Sequence, residues 1–326
     1  PARPARATGP APRQAAPPPR PMRLATFNVQ NLRLRRTGGV ARLDGARDRD
    51  ATAPDDPALD RIDRRLTAEV IRSIDADVLA LQEVFDQDTL DHFHDAVLRP
   101  TGAAPYPHRV CLPGNDGHGL DVALMSRRAP DALRSHAATT AADLGLADPP
   151  PEVAHGPLFR RDCLAVRFGA LSVYVCHFKA PWPDRERARA IRRAEAQGVR
   201  RIVETDHPDP AAADWIVLGD LNQADPRAGD ALAPLRGGFA VDLMARLPAG
   251  ADWTYRDAAA DLQGRPDAIL LSPALAARYP EALPRVFRAG TDPAAAARAG
   301  PRFRAVGAPR PHASDHAAVY VDLPGL

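Results

Sequence analysis

Asp214-Trp215-Ile216-Val217-Leu218-Gly219-Asp220-Leu221-Asn222 is an apolar run that ends abruptly in a carboxylate and an amide. Its shortness and its β-branched and aromatic content read as a central, all-apolar strand over 214–219. A buried strand holds polar groups only at its end, where water, a metal or a substrate satisfies them. The same design recurs in Leu24-Ala25-Thr26-Phe27-Asn28-Val29-Gln30-Asn31 and in Val78-Leu79-Ala80-Leu81-Gln82-Glu83. It recurs again in Ala313-Ser314-Asp315-His316, which leads into Ala317-Ala318-Val319-Tyr320-Val321. Gathered at one edge of packed sheets, these ends form a site of oxygen donors with one histidine. That donor set suits a hard divalent cation and phosphate chemistry.

The chain has 326 residues, 45% of them hydrophobic, enough to bury a large core. Its formal charge of +2 is too balanced to imply a polyanion partner by itself. No apolar stretch approaches the roughly 20 residues of a membrane span. Residues 1–21, almost wholly Pro, Ala and Arg, are expected to form a disordered arm, and residues 22–326 the folded domain. The chain starts at Pro1 and not at Met, compatible with a removed leader. That start, with the cysteine pair below, favours a secreted or periplasmic protein over a cytoplasmic one, and a monomer is expected.

Outward from the central strand, strands are predicted over 22–28, 77–82, 120–126, 265–271 and 317–323. Helices are predicted over 59–74, 88–98 and 184–204. In the first helix Leu59, Ile62, Leu66, Val70 and Ile74 share one face, with arginines and acids opposite. In the last, Arg187, Arg189, Arg192, Arg193, Arg200 and Arg201 read as a solvated face. Residues 33–57 read as a long surface loop. A hairpin over 162–177 turns at Gly169-Ala170 and sets Cys163 opposite Cys176, as a disulfide or as two buried thiols. The order of elements predicts an α+β fold, a four-layer α/β sandwich of two mainly antiparallel β-sheets packed face to face with helices outside.

Seven segments together carry a resemblance. They are Thr26-Phe27-Asn28-Val29, Leu81-Gln82-Glu83-Val84, Gly119-Leu120-Asp121-Val122-Ala123-Leu124 and Val175-Cys176-His177-Phe178-Lys179. Leu218-Gly219-Asp220-Leu221-Asn222, Pro266-Asp267-Ala268-Ile269-Leu270 and Ser314-Asp315-His316 complete them. In this order they resemble the endonuclease/exonuclease/phosphatase superfamily over about residues 22–324. The resemblance implies Glu83 as principal Mg²⁺ ligand, with Asn28 and Asp315 close by, and Mn²⁺ or Ca²⁺ as alternatives. It implies Asp220 as the group that aligns or deprotonates the attacking water and Asn222 as a phosphate contact. It further implies that Asp267 fixes the tautomer and charge of His316, and that His177 contacts the phosphate near the leaving oxygen.

Weaker candidates are Lys179, the only lysine in the chain, as a phosphate contact, and Arg160 with Arg161 as a clamp or as surface charges. Trp253 either stacks on substrate or packs. Gln30 stands where many relatives carry a carboxylate, which points to modest metal affinity. The resulting expectation is a Mg²⁺-dependent phosphodiesterase, a nuclease acting on DNA or RNA. The alternatives are a phosphatase or phospholipase C-type hydrolase acting on a small phosphoester or lipid head group, and a non-catalytic binding module on the same scaffold.

Overall fold

The computed structural model describes residues 21–47, 56–223, 229–257, 262–291, 301–308 and 310–326. Apart from Pro21, the expected arm over 1–21 lies outside them. The first half contains β1 (Met22–Leu32), β2 (Leu34–Thr37), β3 (Val40–Leu43), α1 (Pro57–Ile74), β4 (Val78–Val84), α2 (Gln87–Phe93), β5 (His108–Cys111), β6 (Asp121–Ser126) and β7 (Ala132–Arg134). The second contains β8 (Cys163–Phe168), β9 (Leu171–His177), α3 (Arg185–Asp206), β10 (Trp215–Asp220), β11 (Val241–Asp242), β12 (Tyr255–Asp257), β13 (Leu262–Gly264), β14 (Asp267–Leu271), α4 (Pro273–Arg278), β15 (Arg285–Phe287) and β16 (Ala318–Leu323).

The strands make two six-stranded sheets, ordered β15-β16-β1-β4-β6-β5 and β11-β14-β10-β9-β8-β7. Each is antiparallel except for one central parallel pair, β1 with β4 and β9 with β10. A parallel pair needs a crossover, and a helix supplies it in both cases, α1 in the first sheet and α3 in the second. One apolar cluster, including Leu24, Val78, Ala80, Val319, Val173, Val175, Ile216, Leu218 and Ile269, fills the space between the sheets. A second packs the first sheet under α1 and α2, and a third packs the other under α3. The four-layer sandwich is therefore as expected. Among the described residues no helix is long and apolar enough to cross a membrane.

Several local expectations are corrected. Residues 34–43 are not loop: β2 and β3 form a hairpin whose turn, Gly38-Gly39, has φ of 59° and 80°. Those left-handed angles suit two glycines in a two-residue turn, and arginines on the exposed strands hid the alternation. In α1 the charged side is partly buried: Asp60, Asp63 and Arg64 are inside, while Ile62 of the apolar set is 38% exposed. In α3, Arg192 is buried and donates to the Lys179 carbonyl at 2.9 Å. The hairpin register does pair Cys163 with Cys176, and both are free buried thiols.

Candidate active site

Alternation along the strands builds the site. In β1 the residues facing the other sheet are Leu24, Thr26 and Asn28; in β10 they are Ile216, Leu218 and Asp220. In β9 they are Val173, Val175 and His177, and in β14 they are Leu271, Ile269 and Asp267. Each row runs apolar, then polar at the same rim, because side chains two apart share a face. Register does the rest, setting Asp220 opposite His177 on one side and Asp267 on the other. Gly219 permits this approach: its φ is 144°, and a Cβ there would sit 1.9 Å from the Cys176 carbonyl oxygen.

The two sheets meet through Asn28, whose Nδ2 donates to Glu83 Oε1 at 3.1 Å and to Asp220 Oδ2 at 3.1 Å. Strict alternation would turn Glu83 toward α1 with Leu79 and Leu81. A left-handed φ of 67° at Glu83, with a register shift between Gln82 and Val84, turns it to the rim instead. Such a conformation costs a non-glycine residue about 1–2 kcal/mol and persists only where neighbours hold it. The neighbours are visible: Asn31 N donates to Glu83 Oε2 at 2.8 Å, and Gln30 and Asn31 are themselves left-handed at 49° and 54°. Burial raises the Glu83 carboxyl pKa, with Asn28, His316 and Asn31 opposing.

Beneath this irregular stretch lies Arg64, 1% exposed, which donates to the carbonyls of Asp44, Val29, Gln30 and Gly45 at 2.5–2.7 Å. Burial lowers its pKa to about 10, so it stays charged at neutral pH. Replacing Arg64 with Met strands those carbonyls. Chemical denaturation should show a loss of about 3–5 kcal/mol, with unfolding midpoints of wild type and variant compared directly.

On the other flank, His316 Nδ1 bonds Asp267 Oδ2 at 2.8 Å, and Thr254 Oγ1 donates to the same oxygen at 2.6 Å. His316 Nε2 lies 3.9 Å from Asp220 Oδ2, and the His177 Nε2 lies 3.5 Å from it. Burial disfavours a charged His316, but Asp267 and Asp220 outweigh it and hold its pKa well above 6.5. His177 goes the other way, kept neutral by burial, by Arg161 and by His316. Burial lifts Asp220 to about 6, with His316 opposing the rise. Two imidazoles around one carboxylate are thus held in opposite charge states.

Ligand atoms of Asp220, Asp267 and His316 lie within 4.8 Å of one another, a spacing that a metal ion accepts. A charged imidazole already bonded to Asp267 is a poor ligand, however, and this trio reads as proton-handling machinery. The Glu83 side fits a hard cation better. It offers a partly exposed carboxylate whose ionised form is disfavoured by burial, beside Asn28 and the buried, unbonded Asn31 Oδ1.

Asp315 joins this side through its backbone: its N–H donates to Gln30 Oε1 at 3.1 Å, and Ser314 Oγ donates to the Asn28 carbonyl at 2.7 Å. Gln30 Oε1 also meets His312 Nε2 at 3.1 Å. Gln30 therefore ties β1 to the segment bearing Asp315, a job for an amide oxygen. Asn222 does not continue the extended chain. Its φ is 53°, its N–H donates to Asp220 Oδ1 at 2.9 Å, and its Nδ2 donates to the Phe178 carbonyl at 2.9 Å.

Lys179 lies beyond the end of β9, so it does not share a strand face with His177; its ammonium bonds the carbonyls of Ala180 and Trp182. Trp253 is 7% exposed, covered by the Arg288 guanidinium 4.3 Å from its ring centroid, so packing is its role. Arg160 is half-buried and its backbone N–H donates to Glu195, while Arg161 is buried, paired with Asp116 at 2.9 Å and donating to the Phe178 carbonyl at 3.1 Å. Sequence reasoning missed Thr254 and Arg64. Thr254 directly follows Trp253, and Arg64 shares a helical face with the buried Thr67, Ile71 and Ile74, although its charge by itself reads as solvated.

A model of the Endonuclease/Exonuclease/phosphatase family matches residues 25–316. No curated protein matches the sequence significantly. Among solved structures, an AP endonuclease from Archaeoglobus fulgidus is 14% identical, with a TM-score of 0.57 over 93% of this chain and 99% of that one. Truncated TDP2 from Caenorhabditis elegans is 17% identical, with a TM-score of 0.52 over 92% of this chain and 96% of its own. The 3′ phosphatase NExo from Neisseria, solved with a product DNA hairpin, is 20% identical, with a TM-score of 0.52 over 93% and 99%. At these identities the likeness is one of fold.

Proposed function

The chain belongs to the endonuclease/exonuclease/phosphatase family, and from that premise we propose that it is a Mg²⁺-dependent phosphodiesterase that cleaves nucleic acid. The family's chemistry is phosphoester hydrolysis with a divalent metal. One observation carries the reading: the Asn28 amide joins Glu83 of one sheet to Asp220 of the other, 3.1 Å from each, with His316 Nε2 3.9 Å from the same Asp220 oxygen.

Asp220, ionised, orients a water and takes its proton as the oxygen attacks phosphorus in line with the leaving group. His316, charged and locked by Asp267, donates from Nε2 to the phosphoryl oxygen where negative charge grows. His177, neutral, offers one N–H toward the leaving side. Asn222 has a second amide hydrogen left for the phosphate once the Phe178 carbonyl has taken the first. Glu83, Asn28 and Asp315 would hold the cation, which supplies charge neutralisation at the phosphoryl and leaving oxygens when bound. The NExo structure with product DNA shows that a protein of this fold takes nucleic acid.

The test is a substrate panel with Mg²⁺ or Mn²⁺: plasmid DNA, single-stranded DNA, RNA, sphingomyelin and an inositol phosphate, each with wild type and His316→Ala. Nucleic acid should be the hydrolysed class, and His316→Ala should lower kcat/KM by about 10²–10³-fold. Turnover confined to the lipid or the inositol phosphate overturns the substrate class. No turnover of any phosphoester overturns catalysis itself.

A further inference from the structure

We propose that Trp182 is a substrate-contacting residue whose indole stacks on an unpaired nucleobase flanking the scissile phosphate; the inference rests on the nucleic-acid reading above. Trp182 is 70% exposed, the most exposed of the large hydrophobic side chains described. The other tryptophans, Trp215 and Trp253, are 0% and 7% exposed. An indole left in water forgoes a large burial gain, so folding alone does not account for it.

Its loop starts where β9 delivers His177 and ends at the cap of α3, where Asp184 accepts from the N–H groups of Glu186 and Arg187. Four of the five carbonyls from Phe178 to Trp182 are held by side-chain donors. Asn222 and Arg161 hold that of Phe178, Arg192 that of Lys179, and the Lys179 ammonium those of Ala180 and Trp182. The sole lysine of the chain thus braces the loop that displays the indole, and one end of the brace is Asn222 beside Asp220. A loop backbone held before binding loses less entropy when the indole stacks.

Isolation favours a base over a lipid. The residues that follow, Asp184 to Arg187, are exposed and charged, two acids and two arginines. The other exposed large hydrophobics among the described residues, Val40, Ile62, Leu133 and Leu283, lie on other segments. Membrane docking uses a contiguous apolar patch. A single exposed aromatic offers a face on which a base stacks, and stacking is indifferent to base identity.

Because Trp182 is the exposed tryptophan of three, its fluorescence reports on it directly. Full-length protein in EDTA, titrated with a single-stranded oligonucleotide, should show quenched emission and lose acrylamide accessibility; Trp182→Phe should remove that signal. In Mg²⁺, Trp182→Ala should raise KM for the same oligonucleotide roughly 5- to 150-fold, with Trp182→Phe recovering most of it. Unchanged KM with unquenched emission overturns the inference while leaving hydrolysis in place. Quenching by phosphatidylcholine vesicles and not by the oligonucleotide also overturns it and assigns the indole to a lipid surface. Quenching without hydrolysis sustains the inference and removes the catalytic reading, so the two fail separately.

Discussion

Asp220→Asn should lower kcat/KM for phosphodiester hydrolysis by about 10²–10⁴-fold, the span expected when a positioned general base is removed. The amide keeps the size of the carboxylate and an oxygen for the Asn222 N–H, which now lies 2.9 Å from Asp220 Oδ1, but gives up the bond that Oδ2 accepts from Asn28. It loses the capacity to take a proton. Burial lifts the Asp220 carboxyl to about 6, and a base acts only when ionised. Wild-type kcat/KM should therefore fall as pH drops below about 6, approaching tenfold per pH unit, and level off above it. His316, held well above 6.5, stays charged across that window and adds no limb of its own there. Glu83 is also raised and would weaken metal binding in the same direction as pH falls, so the profile is recorded at saturating metal. An Asp220→Asn enzyme that keeps the acid limb would show that another group is the base.

Glu83→Gln should weaken the apparent divalent-metal affinity at least about 100-fold, more than the 10–100-fold typical of residues that only support a ligand. Gln keeps size and hydrogen-bonding oxygen while removing the charge. The readouts are calorimetric Mn²⁺ binding and metal-induced stabilisation against denaturant, neither of which needs turnover. At a metal concentration of 100 times its dissociation constant, wild type should gain about 2.7 kcal/mol, and the variant almost none. The removed carboxylate costs energy to bury, so the metal-free variant should lose little stability. Equal metal-induced stabilisation in both proteins would move the cation site away from Glu83.

Much of this site could be read along the chain. Period-two alternation makes Leu24-Thr26-Asn28, Val173-Val175-His177 and Ile216-Leu218-Asp220 into rows with a polar end, and hydrophobic burial orients each row without reference to the others. The helices followed from their spacing, though not the burial of Asp60, Asp63, Arg64 and Arg192, since a charged residue looks solvated until its partners are known. The place of Lys179 was not legible for a related reason: whether it shares a face with His177 depends on where the strand ends, and β9 stops at His177.

Sequence alone determined the layers, the polar strand ends and the chemistry those ends can support, because periodicity and apolar burial are local properties that each segment carries by itself. The tertiary structure decided where the charges work. Glu83 reaches the rim only through a left-handed backbone held by Asn31 and by the carbonyl grip of Arg64 below. Gln30 proved to be a tie between distant segments, and Trp182 an exposed ring on a braced loop. Backbone strain, hydrogen bonds between distant segments and exposure arise from stretches as far as 286 residues apart meeting at the site, and no local pattern encodes a meeting of that kind.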